Sequence, residues 1–463
     1  MKFINRTQET SFLKSEFSNN NASLIIIYGK RRVGKTELIK HFCKNKNYIY
    51  FLGRQVGNKD NLQQLSETCA TKFKQPLLEN QPFKSWDDFF NFLIRNTKKK
   101  TIIAFDEYPY FVSSQPGLSS IFQQYWDEKL KRNKNIKLIL CGSSFGMMIN
   151  ETLSEKAPLF GRRTGQIHLK PLNFYQSKKF FPKLKFPNFL SFFSITGGNP
   201  EYLNKLSKYT QLQKAIEKEI LNKNSPLYEE IDFLLKEELR EPKNYYSILK
   251  SLAFKRNKIS DIIEQTGLKK TIIHKYLFVL ENLGLIEKEI PITEKQPQKP
   301  RKGIYRIKDQ FVNFWFNFVL PYRQEIELGN INLIKSKLKI YFPAITQENY
   351  QRIAPEIINQ YSKKIGNFEK IGRFWHNETE IDNIGTNSLK NEIAFIESKW
   401  SNKKVGINTL KQLREKIKNL DLNKNYKKEK YILLSKSGFT QKLLDLTKQK
   451  NNIFLIKQDK LII

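Results

Sequence analysis

Histidine and cysteine are scarce in this chain, with 4 and 3 among 463 residues, and the shortage excludes a good deal. Cys43, Cys69 and Cys141 lie far apart with no metal-ligand spacing, so neither a zinc module nor a disulfide framework is expected. Two fall in apolar or helical patterns and one ends a strand-like run, as buried free thiols do in a reducing cytoplasm. Long apolar runs are missing too. The richest, Phe311 to Leu320, is broken by Asn313 and Asn317 and falls well short of the ~20 residues that cross a bilayer. The opening Met1-Lys-Phe-Ile-Asn-Arg-Thr lacks the continuous apolar core of a signal peptide. The expectation is a soluble, cytoplasmic protein with no membrane partner. Acidic residues are outnumbered, 45 Asp and Glu against 81 Lys and Arg, for a net charge of +36. Such a charge favours polyanionic partners, DNA first among them. An AT-rich genome, which enriches Lys, Asn and Ile, produces the same composition, so charge alone does not decide.

What is present can build real cores: 39% of residues are hydrophobic, including 35 Phe and 20 Tyr. Short β-rich runs at Leu24–Tyr28, Tyr48–Leu52, Thr101–Phe105, Ile136–Leu140 and Gln166–Leu169 alternate with helical stretches, which argues for a parallel sheet wrapped by helices over 1–172. The pattern turns helical over 173–240, with Leu203, Leu206, Ile216 and Ile220 at three- and four-residue spacings. A compact helical unit follows over 241–310, a connector over 311–342, and a second alternation of strands and helices over 343–463. The fold class expected is α/β.

The most specific motif lies where a strand runs into a helix. Gly29, Lys30, Arg31, Arg32, Val33, Gly34, Lys35 and Thr36 match G-x-x-x-x-G-K-[ST], after the apolar run Leu24–Tyr28 and before the helical Glu37 to Phe42. Glycines at those positions let the backbone curl around the phosphates of ATP, and the helix start adds its positive end. Lys35 then reaches the β- and γ-phosphates, and the Thr36 hydroxyl ligates Mg²⁺. The second half of such a site is an acid ending another buried strand. Asp106 and Glu107 follow Thr101–Phe105, about 70 residues beyond the loop, with one strand between. Asp106 is expected to hold Mg²⁺ through a water, and Glu107 to polarise the attacking water. Ser143 or Ser144, ending the run from Ile136, is placed to bond the γ-phosphate or that water. Arg162 and Arg163, just before Gln166, offer guanidiniums for the charge that develops in phosphoryl transfer.

The order of Gly29 to Thr36, Phe105-Asp-Glu, Cys141-Gly-Ser-Ser, Phe160-Gly-Arg-Arg-Thr-Gly and Thr196-Gly-Gly-Asn-Pro200 resembles the archaeal-type ATPases, AAA+/STAND-related P-loop proteins. The resemblance covers roughly residues 1 to 240. It implies that the turn at Gly198 and Pro200 packs near the nucleotide and couples it to the next domain.

Three helices (Asn244–Phe254, Lys258–Gly267, Lys270–Leu283) and a hairpin (Ile286–Ile290, Gly303–Ile307) read as a winged helix-turn-helix. Its third helix presents Lys269, Lys270, Thr271, His274 and Lys275, and its wing Lys295, Lys299, Arg301 and Lys302, a set suited to phosphates more than base edges. Packing or regulation is the other use of such a unit. Further on, Asp382 in one strand and Glu397 with Lys399 in the next form the D…[DE]-x-K pattern of restriction-like nucleases. Residues two apart share a strand face, so Glu397 and Lys399 point to one side. With Asp382 they can hold Mg²⁺ and neutralise a phosphorane. Glu356, read as the first turn of a helix beginning at Ala354, is a further candidate ligand. The block also resembles the domain of unknown function that follows this ATPase type, through Phe314-Trp-Phe-Asn-Phe, Ile371-Gly-Arg-Phe-Trp375, Glu380-Ile-Asp382 and Ile396-Glu-Ser-Lys-Trp400, and that domain looks restriction-endonuclease-like. Relatives often carry Cys at the Ser398 position. The reading is therefore an ATP-hydrolysing switch acting on DNA. The alternative is a signalling ATPase whose carboxy-terminal domains bind a protein partner or a second copy in a homo-oligomer and cut nothing.

Overall fold

The computed structural model describes residues 3–463 apart from Arg240, Lys295, residues 297–302, Asn377, Asn419 and residues 421–425, and apart from the side chain of Phe145. Two compact units emerge: Met1–Leu172 with Asn199–Glu201, and Asn173–Gly198 with Tyr202–Ile463.

In the first unit the apolar runs become β1 (Ser23–Tyr28), β2 (Tyr48–Leu52), β3 (Thr101–Asp106), β4 (Ile136–Gly142) and β5 (Gly165–His168). They pair in parallel in the order β2-β3-β4-β1-β5. Both faces are covered at the inner strands β3, β4 and β1, which are buried along nearly their whole length, whereas the edge strands β2 and β5 alternate. Leu24, Ile26, Phe51, Ile103, Phe105, Leu138 and Leu140 pack on one side with an aromatic layer of Trp86, Phe89, Phe90, Phe111 and Phe122. Ile25, Ile27, Ile102, Ala104 and Ile139 pack on the other, against the Lys35–Cys43 helix. Each such large side chain contributes about 1.5–3 kcal/mol by leaving water. The strand order sets β1, β4 and β3 side by side, so the loops leaving their carboxyl ends are neighbours. That edge carries the nucleotide-site residues.

In the second unit, helices Pro242–Ala253, Ile259–Thr266 and Lys270–Asn282 are followed by β6 (Ile286–Glu289) and β7 (Ile304–Ile307), an antiparallel pair. Lys295, Lys299, Arg301 and Lys302, expected at the hairpin tip, lie outside the described residues. The first part of the connector expected over 311–342 is core, while Leu328, Ile340 and Tyr341 further along are exposed. In the Gln310–Phe318 helix Phe311, Phe314, Trp315 and Phe316 are fully buried, and the Trp315 indole donates to the Tyr228 carbonyl at 2.8 Å.

The helix expected to start at Ala354 starts much earlier. Ile331–Asn359 is one continuous helix of 29 residues that runs through Pro343 and Pro355 and across the boundary set at 343. Proline reads as a helix start because it removes the bond to the carbonyl four residues back. Here the carbonyl freed by Pro355 is that of Gln351, and the Asn383 side-chain amide donates to it at 3.0 Å.

The carboxy-terminal sheet follows: β8 (Lys370–His376), β9 (Thr379–Asn387), β10 (Glu392–Lys399), β11 (Lys428–Ser435), β12 (Ile453–Lys457) and β13 (Lys460–Leu461). Its order is β13-β12-β11-β10-β9-β8. β10, β11 and β12 are parallel, joined by the Ile407–Lys418 and Gln441–Lys448 helices, while β8, β9 and β10 are antiparallel. The β6–β7 hairpin is fastened to this sheet. Ile292 N donates to Arg373 O on the edge strand β8 at 2.9 Å, and Arg373 also pairs with Glu289 at 2.7 Å. Among the described residues no helix is long and apolar enough to cross a membrane. Cys43, Cys69 and Cys141 are buried free thiols.

Candidate functional site

The loop between β1 and the Lys35–Cys43 helix needs glycine twice. Gly29 has φ +152°, and a Cβ there would lie 2.3 Å from the Leu169 carbonyl oxygen. Gly34, with φ +92°, sits in the left-handed region immediately before the helix. Arg32 also has positive φ, at 66°, and Val33 is fully buried beneath the loop. The buried Lys35 ammonium donates to the Gly29 and Lys30 carbonyls at 2.9 and 3.1 Å. Arg6, itself buried, donates to the Val33 carbonyl at 2.9 Å and pairs with Glu9. Sequence reasoning missed Arg6. An arginine three residues ahead of a glutamate at a helix start was the only signal, and it is weak.

Across from the loop, Asp106 ends β3 and is fully buried. Its Oδ2 accepts the Thr36 hydroxyl at 2.6 Å and the Tyr50 hydroxyl at 2.7 Å, and its Oδ1 accepts the Glu107 backbone N–H at 3.0 Å. Glu107 follows in the left-handed conformation, φ 51°, which turns its side chain away from the line of β3. The Ser143 hydroxyl reaches the Glu107 carboxylate at 2.8 and 3.0 Å. The hydroxyl that faces Glu107 is thus that of Ser143 and not that of Ser144, which is half-buried.

Arg162 and Arg163 are not brought to the loop. They precede β5, whose register Ile25↔Gly165 sets them beside the start of β1, whereas the phosphate loop leaves its end. At about 3.3 Å per residue the two positions are roughly 20 Å apart along the sheet. Arg162 is engaged with Asp127 at 3.1 Å, and Arg163 donates to the Thr152 and Leu153 carbonyls at 3.2 and 3.3 Å. Their expected contact with the nucleotide bound by the same chain is corrected on that ground.

Of the Gly197-Gly198-Asn199-Pro200 turn, Pro200 and the following Glu201 lie against the loop. Asn199–Glu201 belongs to the first unit although the residues on either side belong to the second. A Cβ on Gly34 would lie 4.0 Å from the Pro200 ring, and Glu201 pairs with Arg32 at 3.4 Å.

The second cluster lies where β9 and β10 meet. Their register ends at Ile396↔Asn383, so Asp382 and Glu397 come next to each other. Asp382 Oδ2 accepts the Ser398 N–H at 2.8 Å, and Oδ1 accepts Gln351 Nε2 at 2.8 Å. Burial, and then the neighbouring Glu397 charge, push the Asp382 carboxyl up to about 6. Glu397 Oε1 accepts the Lys399 ammonium at 2.6 Å. Its Oε2 is buried without a hydrogen bond and faces Lys416, on the Ile407–Lys418 helix, at 3.8 Å. Burial opposes the Lys399 charge, but its bond to Glu397 and the Asp382 charge outweigh that and hold the ammonium above its ordinary value. Lys416 and Gln351 were missed, because neither stands near the motif in sequence. Glu356 is not part of the cluster. Its carboxylate accepts the Phe174 N–H at 3.1 Å, at the start of the Phe174–Lys178 helix. Among the described residues no three His, Cys, Asp or Glu side chains are grouped to hold a metal. On the third helix of the middle unit, Lys269, Lys270, Thr271, His274 and Lys275 are all exposed, and so is Phe278.

Residues 3–206 match an ATPase domain predominantly from Archaea, and residues 315–415 match a family of archaeal and bacterial proteins of unknown function. An uncharacterized Methanocaldococcus jannaschii protein is 36% identical over 407 residues, 87% of this chain and 88% of its own length. An ATP-binding protein of the same organism is 57% identical over 44 residues, 10% of this chain and 75% of its own. The Walker-type ATPase of Pyrococcus abyssi aligns with a TM-score of 0.54 at 22% identity, over 68% of this chain and 96% of its own, a likeness of fold. With a relative matched nearly end to end and a phosphate loop built on the expected strand and helix, the chain belongs to the archaeal P-loop ATPases that carry this second family of unknown function at their carboxy-terminal end.

Proposed function

We propose that the chain hydrolyses ATP with Glu107 as general base and that its nucleotide state governs a DNA-acting module in the second unit. Thr36 and Asp106 suit Mg²⁺: a hydroxyl and a carboxylate 2.6 Å apart are the hard oxygens this ion takes. When bound, the ion neutralises charge on the β- and γ-phosphates. Lys35, which lies along the loop on two of its carbonyls, moves its ammonium to those phosphates when nucleotide enters. Glu107 accepts the proton of the attacking water once its carboxylate leaves Ser143. Pro200 and Glu201, against Gly34 and Arg32, carry the change in the loop toward the chain segments that flank them.

The observation that carries the DNA-acting half is the meeting of two buried carboxylates, Asp382 and Glu397, at adjacent strand positions with Lys399 on one of them. The surrounding order of one long helix, three strands, helix, strand, helix and two strands supports a restriction-like nuclease, and the three helices with the β6–β7 hairpin support a winged helix. One Glu397 oxygen, buried without a donor, suits a single Mg²⁺ or Mn²⁺ shared with Asp382. When bound, the ion activates water for phosphodiester cleavage. Lys399, held as an ammonium, supplies charge to the phosphate and is a poor proton acceptor. Lys269, Lys270 and Lys275 hold the DNA backbone. The test is to incubate the full chain with plasmid and with single-stranded DNA, with and without ATP, in Mg²⁺ and in Mn²⁺. Cleavage that Asp382→Ala abolishes supports the reading. A parent protein that cuts neither form under any of these conditions overturns the nuclease half.

The second reading, a nucleotide-switched ATPase whose carboxy-terminal domains bind a protein partner, draws on the position of Glu356. With that acid engaged at Phe174, the cluster has two carboxylates where three were expected.

A further inference from the structure

Tyr50 stands in none of the motifs, yet its hydroxyl lands on the most critical acid of the nucleotide site. Asp106 is fully buried, and an ionised carboxylate in that position needs donors for its lone pairs. It has them. Oδ2 takes both the Thr36 and the Tyr50 hydroxyls, Oδ1 takes the Glu107 N–H, and the Cys141 thiol is a further side-chain partner. The carboxylate is saturated, so a water on a bound ion reaches it only if one donor leaves.

Thr36 is the donor that leaves, because its hydroxyl is the one expected to ligate the ion. The Glu107 N–H is backbone and stays. Tyr50 stays as well, and its length explains its identity. β2 runs beside β3 in the register Tyr50↔Ala104, with Leu52↔Asp106 two residues further along. The hydroxyl therefore has to span two residues, about 6.6 Å of strand. A phenol is that long, and a serine or threonine at position 50 would stop short. Lys40 lies 5.8 Å from the ring centroid, and the phenol hydroxyl donates to Asp106 Oδ2 at 2.7 Å.

We propose that Tyr50 is a positioning residue for the Mg²⁺ of the bound nucleotide: its hydroxyl keeps the Asp106 carboxylate oriented when Thr36 turns to the ion. The inference rests on the assignment of Thr36 and Asp106 to Mg²⁺. Residues that orient metal-binding groups from behind typically change metal affinity 10–100-fold.

The test is equilibrium binding of ATP to the full chain, in EDTA and then across a Mg²⁺ titration, for the parent and Tyr50→Phe. The phenylalanine keeps the ring packing and removes only the hydroxyl. The expected result is an unchanged affinity in EDTA and a Mg²⁺ midpoint raised about tenfold. Tyr50→Thr, a hydroxyl too short to reach, should behave like Tyr50→Phe. A merely structural tyrosine would weaken binding in EDTA as well, and that outcome overturns the proposal. A Tyr50→Phe midpoint within about twofold of the parent also overturns it, being well short of that range. A parent whose ATP affinity ignores Mg²⁺ overturns the underlying assignment of Thr36 and Asp106.

Discussion

Gln351 holds Asp382 from the middle of the long Ile331–Asn359 helix, its amide nitrogen 2.8 Å from Oδ1. One turn earlier on the same helix, Gln347 Nε2 donates to the Ser398 carbonyl at 2.7 Å and Gln347 Oε1 accepts the Trp400 N–H. Two glutamines thus fix an acid on β9 and the exit of β10 to one rigid element. A donor to the charged form lowers a carboxyl's pKa. Gln351→Leu should therefore raise Asp382 above about 6 and shift any Asp382-dependent metal binding to higher pH, measured by calorimetry across pH 5–8.

The raised Asp382 pKa has a stability consequence of definite sign. Its folded value of about 6 exceeds the ordinary 3.8, so the folded chain binds the proton more tightly than the unfolded chain. Stability should fall as pH rises through that window and level off above it. Asp382→Asn should remove this slope and gain on the order of 2–3 kcal/mol above pH 7, the free-energy equivalent of roughly two pKa units. Urea denaturation of both proteins between pH 4 and 8 reads the difference. A parallel pair of curves would contradict a buried Asp382 charge set beside that of Glu397.

Glu348 should behave oppositely. Lys255, Arg306 and Arg352 surround its carboxylate. Burial alone would raise it, but the three cations outweigh that and bring it down to about 2. Its contribution is present above the ordinary 4.5 and is lost as pH falls toward 2. Arg306 and Arg352 also pair with Glu289 and Glu287 on β6 at 3.3 Å each, so the network fastens the hairpin to the long helix. Glu348→Ala should cost about 1.5–3 kcal/mol at pH 7, the scale of a hydrogen bond to a charged group, because Glu289 and Glu287 still pair with Arg306 and Arg352. Melting curves of the full chain test it.

Much of this was legible in the amino-acid sequence alone. Gly29 to Thr36, Asp106 and Glu107 declare themselves because phosphate binding fixes both residue type and spacing. The five strands of the first unit are short apolar runs bounded by polar residues. The strand order was not legible, since pairing β1 with β4 and β5 depends on which faces the helices cover. Arg162 and Arg163 were misplaced for the same reason: nearness to β5 in sequence says nothing about which end of β1 they face. The Ile331–Asn359 helix was cut short because Pro343 and Pro355 normally end helices, and the rescue by Asn383 comes from a strand 28 residues beyond Pro355. Tyr50, Gln351 and Lys416 act by reach across space and leave no local pattern.

DNA affinity, if carried by Lys270 and Lys275, should depend on salt through released counterions. Replacing both by Ala should weaken binding to all sequences alike and reduce the slope of log K against log salt by about 2, near 0.9 for each phosphate no longer neutralised. An unchanged slope in fluorescence anisotropy would move the interface off this helix.

The central claim is that Glu107 is the base of a working ATPase, and paired measurements of ATP affinity and turnover test it most directly. Glu107→Gln keeps the size of the side chain and removes only the proton acceptor. It should bind ATP with nearly the parent affinity and hydrolyse it about 10²–10⁴-fold more slowly, while Lys35→Ala should lose binding itself. Hydrolysis by Glu107→Gln at the parent rate would contradict the account.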